Sequence, residues 1–206
     1  MFFLPIFTKI GRAGYIRVRK IKSIFSMKVY TKTGDQGTTG ILGSKRLKKH
    51  DLRIDAYGNV DELNAHIGML NSKINTDFER WVQDRLFIVG SWLATEPGME
   101  EKINLPKIGA ADIEILENKM DAMESEMEPI QHFILPGGSW ESSQAHVIRC
   151  VCRRAERSVW ALHEAEPVQQ EIPQFLNRLS DYYFVWARWI LKNQGLKPVF
   201  WIPEKK

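Results

Sequence analysis

Between residues 56 and 190 the apolar side chains return every third or fourth position, in five separate runs. Ala56, Val60, Leu63, Ile67, Leu70 and Ile74 form the first, and Phe78, Val82, Leu86, Val89 and Leu93 the second. Ile113, Leu116, Met120, Met123 and Met127 form the third. Ala145, Ile148, Cys152, Ala155, Val159 and Leu162 follow, then Leu176, Leu179, Tyr183, Trp186 and Ile190. Such spacing lays one apolar stripe along each of five helices. A helix with one apolar face must bury it against a neighbour, so the expected fold is all-α, a five-helix bundle. Asp77 is available to cap the start of the second helix. Pro97, Pro129 and Pro167 fall where the second, third and fourth runs stop, and Pro106 and Pro136 lie in the connections ahead of the third and fourth. Pro173 falls in the first turn of the fifth, where its missing N–H does no harm. Only residues 28–31 and 198–202 read as extended.

The 206 residues are 44% apolar, enough for one domain with a real core. No apolar run approaches the roughly 18 residues of a membrane-spanning helix. The richest, YYFVWARWIL at 182–191, is broken by Arg188. A soluble protein without a membrane partner is expected.

The formal charge of +4 is unevenly placed. Residues 1–26 hold six bases (Lys9, Arg12, Arg17, Arg19, Lys20 and Lys22) and no acid, leaving 23 bases against 25 acids in the remainder. A near-neutral body with local basic clusters argues against a nucleic-acid partner, which needs phosphate neutralisation over a broad face. In the leader, MFFLPIF precedes the charges, the reverse of a secretory signal. A mitochondrial transit peptide is one reading of an acid-free, Arg-containing segment. A start assigned upstream of the true one is the preferred reading, because Met27 is followed at once by the strand-like KVYTK. The expected organisation is thus a basic leader, 1–26, and one domain, 27–206, in the cytoplasm. Mitochondria are the alternative if the leader is genuine.

Cys150 and Cys152 are too close together to staple a fold, and such usage fits a reducing compartment. With His146 one turn earlier a metal site is conceivable, but further ligands are missing. Two small buried thiols are the plainer reading.

Five segments could carry chemistry. In TKTGDQGTTG, 31–40, glycines free backbone N–H groups to turn toward an anion. Thr31, Thr33, Thr38 and Thr39 add hydroxyls there, and Lys32 and Lys48 add charge. An ordinary mobile surface loop has the same composition. In RCVCRRAER, 149–157, Arg149, Arg153, Glu156 and Trp160 share a stripe beside the apolar seam. It reads either as a solvated, internally paired face or as guanidinium forks aimed at phosphate oxygens. In FLNRLSDYY, 175–183, Asn177 and Asp181 are one turn apart, and asparagine is a poor helix-interior residue unless something engages it. Gly58, Asp61, Ala65 and Gly68 make a small-residue stripe that a helix or ligand could approach closely. In FILPGG, 133–138, Phe133 and Ile134 precede an exposed turn, either as an inward anchor or as an aromatic packed on a ligand.

YTKTGDQGTTG, AYGNVDELNAHIG, FILPGG, RRAER and FLNRLSDY, in this order and at these distances, resemble the PduO-type ATP:cob(I)alamin adenosyltransferases from about Met27 to about Gln194. The resemblance implies a homotrimer of five-helix bundles with active sites between subunits. It implies transfer of the 5′-deoxyadenosyl group of ATP to the cobalt of cob(I)alamin, with release of triphosphate. By motif, Thr31, Lys32, Thr33, Gly34, Thr38, Thr39 and Lys48 of one subunit would contact ATP. Arg153, Arg154, Ala155, Glu156, Arg157 and Asn177 of the neighbour would complete that site, with magnesium on the phosphates and not on the protein. Asp61 and Arg149 match an ion pair across the interface. Phe133 matches an aromatic beneath the corrin that displaces the lower cobalt ligand, and Phe133 and Arg153 are the expected catalytic residues. Gln36 stands where a lysine is common in the family. The competing reading, an interaction protein using its arginine-rich helix face, leaves the glycine loop unexplained. A phosphotransferase would need a catalytic base that is not evident.

Overall fold

Each of the five apolar runs lies on a helix in the computed structural model, which describes residue 30 and residues 32–203. The leader 1–26, Thr31 and all but Tyr30 of the extended stretch expected over 28–31 lie outside the described residues. The long helices are α1 (Leu52–Ile74), α2 (Asp77–Leu93), α4 (Ala110–Glu124), α5 (Trp140–Ala165) and α6 (Glu171–Asn193). A sixth, α3 (Glu100–Ile103), is a single turn. The expectation of five helices missed it because four residues are too few to show a period.

Two short ribbons accompany the helices. Strands β1 (Thr38–Gly40) and β2 (Arg46–Lys48) pair antiparallel with Thr39 opposite Leu47. Strands β3 (Ile134–Leu135) and β4 (Val199–Phe200) pair antiparallel with Ile134 opposite Phe200. The second ribbon fulfils the extended reading of 198–202. The first turns an expected loop into a hairpin.

Helices α1, α5 and α6 form the centre: α5 packs on both α1 and α6, α2 covers α1, and α4 covers α6. Ala56, Leu63, Ile67, Ala145, Ile148, Cys152, Ala155, Val159, Leu176 and Leu179 are inaccessible at the seams, as their periodicity requires. Met127, the last residue of the third run, lies just beyond α4 and is half-buried. Asp51 caps α1 by accepting from Arg53 N. At α2 the cap is Thr76, whose hydroxyl accepts from Glu79 N, and not Asp77. Thr76 has the extended backbone of a cap, whereas Asp77 sits in the first turn and complements the helix dipole with its charge.

Buried polar groups tie helix ends together. Arg53, at the start of α1, donates to Leu93 O (2.9 Å) and Thr95 O (3.0 Å) at the end of α2 and pairs with Glu166 (2.6 Å) at the end of α5. Glu79 of α2 is fully buried and accepts from the hydroxyls of Tyr182 (2.8 Å) and Tyr183 (2.5 Å) on α6. Burial pushes its carboxyl up to about 7, although both hydroxyls and Lys119 favour the charged form.

Candidate functional site

The glycine-rich stretch enters through a turn in which Asp35 N donates to Lys32 O, with Lys32 in the left-handed region at φ 59°. Arg46, on β2, braces this turn: Nη2 donates to Thr33 O (2.8 Å) and to Thr38 O (3.2 Å). Thr39 is hydrogen-bonded to Tyr57 of α1, and burial of that hydroxyl, with Asp61 nearby on the same helix, pushes its pKa up. At the far end, Leu42 N donates to Ala94 O (2.7 Å) and Glu96 N donates to Leu42 O (2.8 Å). Gly43 there has φ 130°, and a Cβ would stand 2.6 Å from Glu96 Oε2, so only glycine fits. The stretch is therefore a braced hairpin with Lys32, Thr33 and Lys48 exposed and Gly34, Thr38 and Thr39 half-buried.

Helix α5 presents two polar edges. Toward α1, Arg154 Nε donates to Asn59 Oδ1 (3.0 Å) and its Nη2 pairs with Glu62. Toward α6, Glu156 accepts from Asn177 Nδ2 (3.1 Å), and Asn177 is otherwise exposed. Arg153 and Arg157 are exposed and form no ion pair among the described residues. Arg149 is half-buried, with a buried Nε that meets no partner among those residues. The charge run is thus satisfied on one edge only. Ala155 is fully buried in the core, and its methyl group is closed to any nucleotide. Asp181 is engaged by Arg178 (3.1 Å), which also reaches Glu117 (2.8 Å).

Asp61 is exposed on α1 and makes no ion pair among the described residues; it does not meet Arg149 of its own chain. Gly58 and Ala65 of its stripe are exposed too; a Cβ on Gly58 would meet nothing within 4 Å, whereas one on Gly68 would meet Gln83 of α2. Helix contact within the chain does not account for these small residues.

Phe133 lies beside the β3–β4 ribbon and is 79% exposed, which rules out the inward-anchor reading. Its carbonyl accepts from Trp201 N (2.7 Å), and the Trp201 ring stands edge-on at 6.3 Å. Gly138, with φ 98°, lets the turn press on Leu191, where a Cβ would come within 2.7 Å. Phe133, Ile134, His146, Arg149, Phe184 and Trp201 enclose an open, mainly apolar cleft of about 690 Å³. His146 is buried against Phe184, ring to ring at 6.1 Å. Burial and the nearby Arg149 push its pKa down to about 4, so the imidazole is neutral near pH 7.

The structure thus gathers Phe133 and Arg149 at one end of α5, and Arg153, Glu156 and Asn177 farther along the α5–α6 groove. The hairpin residues stand with α1. Sequence reasoning missed Arg46, whose role depends on a strand register, and Trp201, whose partner is far away in the chain. It considered His146 only as a partner for cysteine. Cys152 is buried, its thiol against Leu176 O at 3.1 Å, but Cys150 is exposed, which corrects the expectation of two buried thiols. The two cysteines stand on different faces of α5. No group of three or more His, Cys, Asp or Glu side chains is placed to hold a metal ion among the described residues. Among those residues no helix is long and apolar enough to cross a membrane.

The profile of the cobalamin adenosyltransferase family matches residues 29–190. A corrinoid adenosyltransferase of Bacillus subtilis strain 168 is 38% identical over 181 residues, covering 84% of this chain and 91% of that protein. A variant PduO-type ATP:corrinoid adenosyltransferase from Lactobacillus reuteri, with phenylalanine replaced by alanine and complexed with cobalamin and ATP, superimposes with a TM-score of 0.80. It is 36% identical, covering 84% of this chain and 99% of its own. An arginine-to-lysine variant from the same organism, complexed with ATP, gives 0.79 at 34% identity, with 84% and 100% covered.

Proposed function

The chain belongs to the cobalamin adenosyltransferase family, and we infer that it transfers the 5′-deoxyadenosyl group of ATP to the cobalt of cob(I)alamin. The products are adenosylcobalamin and triphosphate. Cob(I)alamin brings its own nucleophile, the cobalt electron pair. The cobalt–carbon bond forms as the bond from C5′ to its oxygen breaks, and that electron pair leaves with triphosphate. The protein aligns cobalt with C5′ and stabilises charge on the departing phosphates.

For the second task we assign Lys32, Thr33, Gly34, Thr38, Thr39 and Lys48 of one subunit, with Thr31. Arg153, Glu156, Arg157 and Asn177 of the next subunit complete the site. Arg154, held by Asn59 and Glu62, supports the shared wall from its own chain. The observation that carries this division is that, among the described residues, Arg149 and Arg153 lack ion-pair partners on one edge of α5, while Asp61 lacks one on the exposed small-residue face of α1. A homotrimer that brings Asp61 of one subunit to Arg149 of the next satisfies both and sets a hairpin against a neighbouring α5–α6 groove. Magnesium would take its oxygen ligands from the nucleotide phosphates. Phe133 would lie beneath the corrin and exclude the lower cobalt ligand. In the two Lactobacillus reuteri structures, the substituted phenylalanine and arginine are separated by as many residues as Phe133 and Arg153, which supports both assignments. Residues 27–206 form the catalytic domain in this scheme, working in the cytoplasm.

Incubation with ATP and chemically reduced cobalamin tests the reaction. The expected outcome is adenosylcobalamin and triphosphate in equal amounts. Release of ADP, or no product, would overturn the reading.

A further inference from the structure

The cleft beside Phe133 is mainly apolar, yet a polar ring is buried in its wall. His146 is 4% exposed, and its Nδ1 has no hydrogen-bond partner among the described residues. Leaving a buried imidazole nitrogen unpaired is costly, and apolar Phe184 alongside offers no compensation. The other polar groups lining the cleft differ from it in exposure or charge. Gln131 and His132 are exposed and solvated, and Arg149 is cationic.

We propose that His146 is a corrin-recognising residue, whose ring pairs with a neutral carboxamide arm at the edge of the macrocycle. This rests on the adenosyltransferase reading above and names the corrinoid chemistry that its site selects. Nδ1 of a neutral imidazole is an N–H donor or a lone-pair acceptor according to the tautomer, and a primary carboxamide can answer either with its carbonyl or its NH₂. A carboxylate has only acceptors and would choose a guanidinium instead. In the trimer Arg149 is taken up by Asp61 of the adjoining subunit. The cleft therefore favours a corrinoid whose peripheral acids are already amidated.

Position along α5 agrees. His146, Arg149, Arg153 and Glu156 step by three, four and three residues, so they share one edge of the helix. His146 and Arg153 are seven residues apart, about 10 Å at the helical rise. One edge thus holds the macrocycle at one end and the nucleotide at the other, the order that transfer from ATP to cobalt requires.

The test compares wild type with His146→Phe and His146→Asn, using ATP with reduced cobinamide or reduced cobyrinic acid, its carboxylate counterpart. Loss of one net hydrogen bond predicts an approximately tenfold higher KM for cobinamide in His146→Phe, with the KM for ATP unchanged. His146→Asn, which restores a donor and an acceptor, should recover most of that loss. The preference for cobinamide over cobyrinic acid should shrink in the Phe variant. An unchanged cobinamide KM, or a rise in both KM values that follows the melting temperature, would overturn the proposal. Should His146→Phe fail to fold, imidazole nitrogen NMR of the wild type decides. The Nδ1 resonance should shift when diamagnetic Co(III) cobinamide is added and stay in place with ATP alone; no shift with cobinamide overturns the proposal. Wild-type protein that makes no adenosylated product would refute the adenosyltransferase reading itself, a result distinct from any of these.

Discussion

The two edges of α5 carry similar side chains and differ in what satisfies them. On the edge facing α1, Arg154 is held by Asn59 and Glu62 of the same chain. On the edge facing α6, among the described residues, Arg153 has no ion-pair partner and Arg149 keeps a buried Nε without an acceptor. Arginine is rarely left half-buried and unpaired in a finished structure, because desolvating its charge is costly. The contrast teaches that the first edge is satisfied within one chain, whereas the second is left open among the described residues. A neighbouring subunit and an anionic ligand are the candidates proposed above.

The largest expected effect comes from removing the acid assigned to Arg149. In the proposed trimer Asp61→Ala would leave the Arg149 guanidinium at the interface without its partner, at a cost of roughly 3–5 kcal/mol for a desolvated pair. Sedimentation should show trimers weakened by orders of magnitude, with activity falling in step with assembly. A variant that stays trimeric and active would reduce Asp61 to a surface residue and remove the main support for the intersubunit site.

The Glu79 cluster shows how a charge fully enclosed by its own chain behaves. Its carboxyl titrates at about 7 in the folded protein against an ordinary 4.5. The folded state therefore holds a proton that the unfolded chain has already lost between those values. This stabilisation is fully present below about pH 4.5 and disappears as pH rises through about 7, a change of about 3 kcal/mol. Thermal melts from pH 5 to 8 should show the decline, and Glu79→Gln should flatten it. A Glu79→Gln profile as steep as wild type would assign the pH dependence to other groups.

Next in size is Arg153→Ala, with Asn177→Ala beside it. Loss of a charge-assisted contact to phosphate costs on the order of 1.5–3 kcal/mol. For Arg153→Ala kcat/KM for ATP should therefore fall about 10- to 150-fold, with helicity and assembly retained. Asn177→Ala should be milder, since it removes a neutral group. Unchanged ATP kinetics in both would take the α5–α6 groove out of the site.

Much of this arrangement was legible from residues alone, and for a physical reason. The core stripe of each long helix is a local pattern, fixed by 3.6 residues per turn, so Ala56 through Ile190 fell where their spacing put them. What escaped was set by contacts distant in sequence. The partner of Ile134 is Phe200, and the residue that braces Thr33 is Arg46. Cys150 and Cys152 differ in exposure because residues two apart on a helix point about 200° from each other. The candidate site was readable as residue types at Arg153, Asn177 and Phe133. That Ala155 is sealed in the core needed coordinates.

The smallest effect is the sharpest check on the comparison. Arg154 follows Arg153 in the sequence and would pass for its equal in any count of charges. Its guanidinium, however, is already engaged by Asn59 and Glu62 at an exposed position, and exposed pairs contribute only about 0–1 kcal/mol. Arg154→Ala should therefore lower melting temperature by a few degrees at most and change kcat/KM for ATP less than fivefold, well short of the Arg153→Ala loss. Salt offers a second reading of the same difference. Added salt screens an exposed pair, so wild-type stability should converge on that of Arg154→Ala as ionic strength rises. If Arg154→Ala instead matches Arg153→Ala in lost activity while assembly and stability hold, Arg154 leaves Glu62 on ligand binding. The two edges of α5 would then serve the nucleotide together.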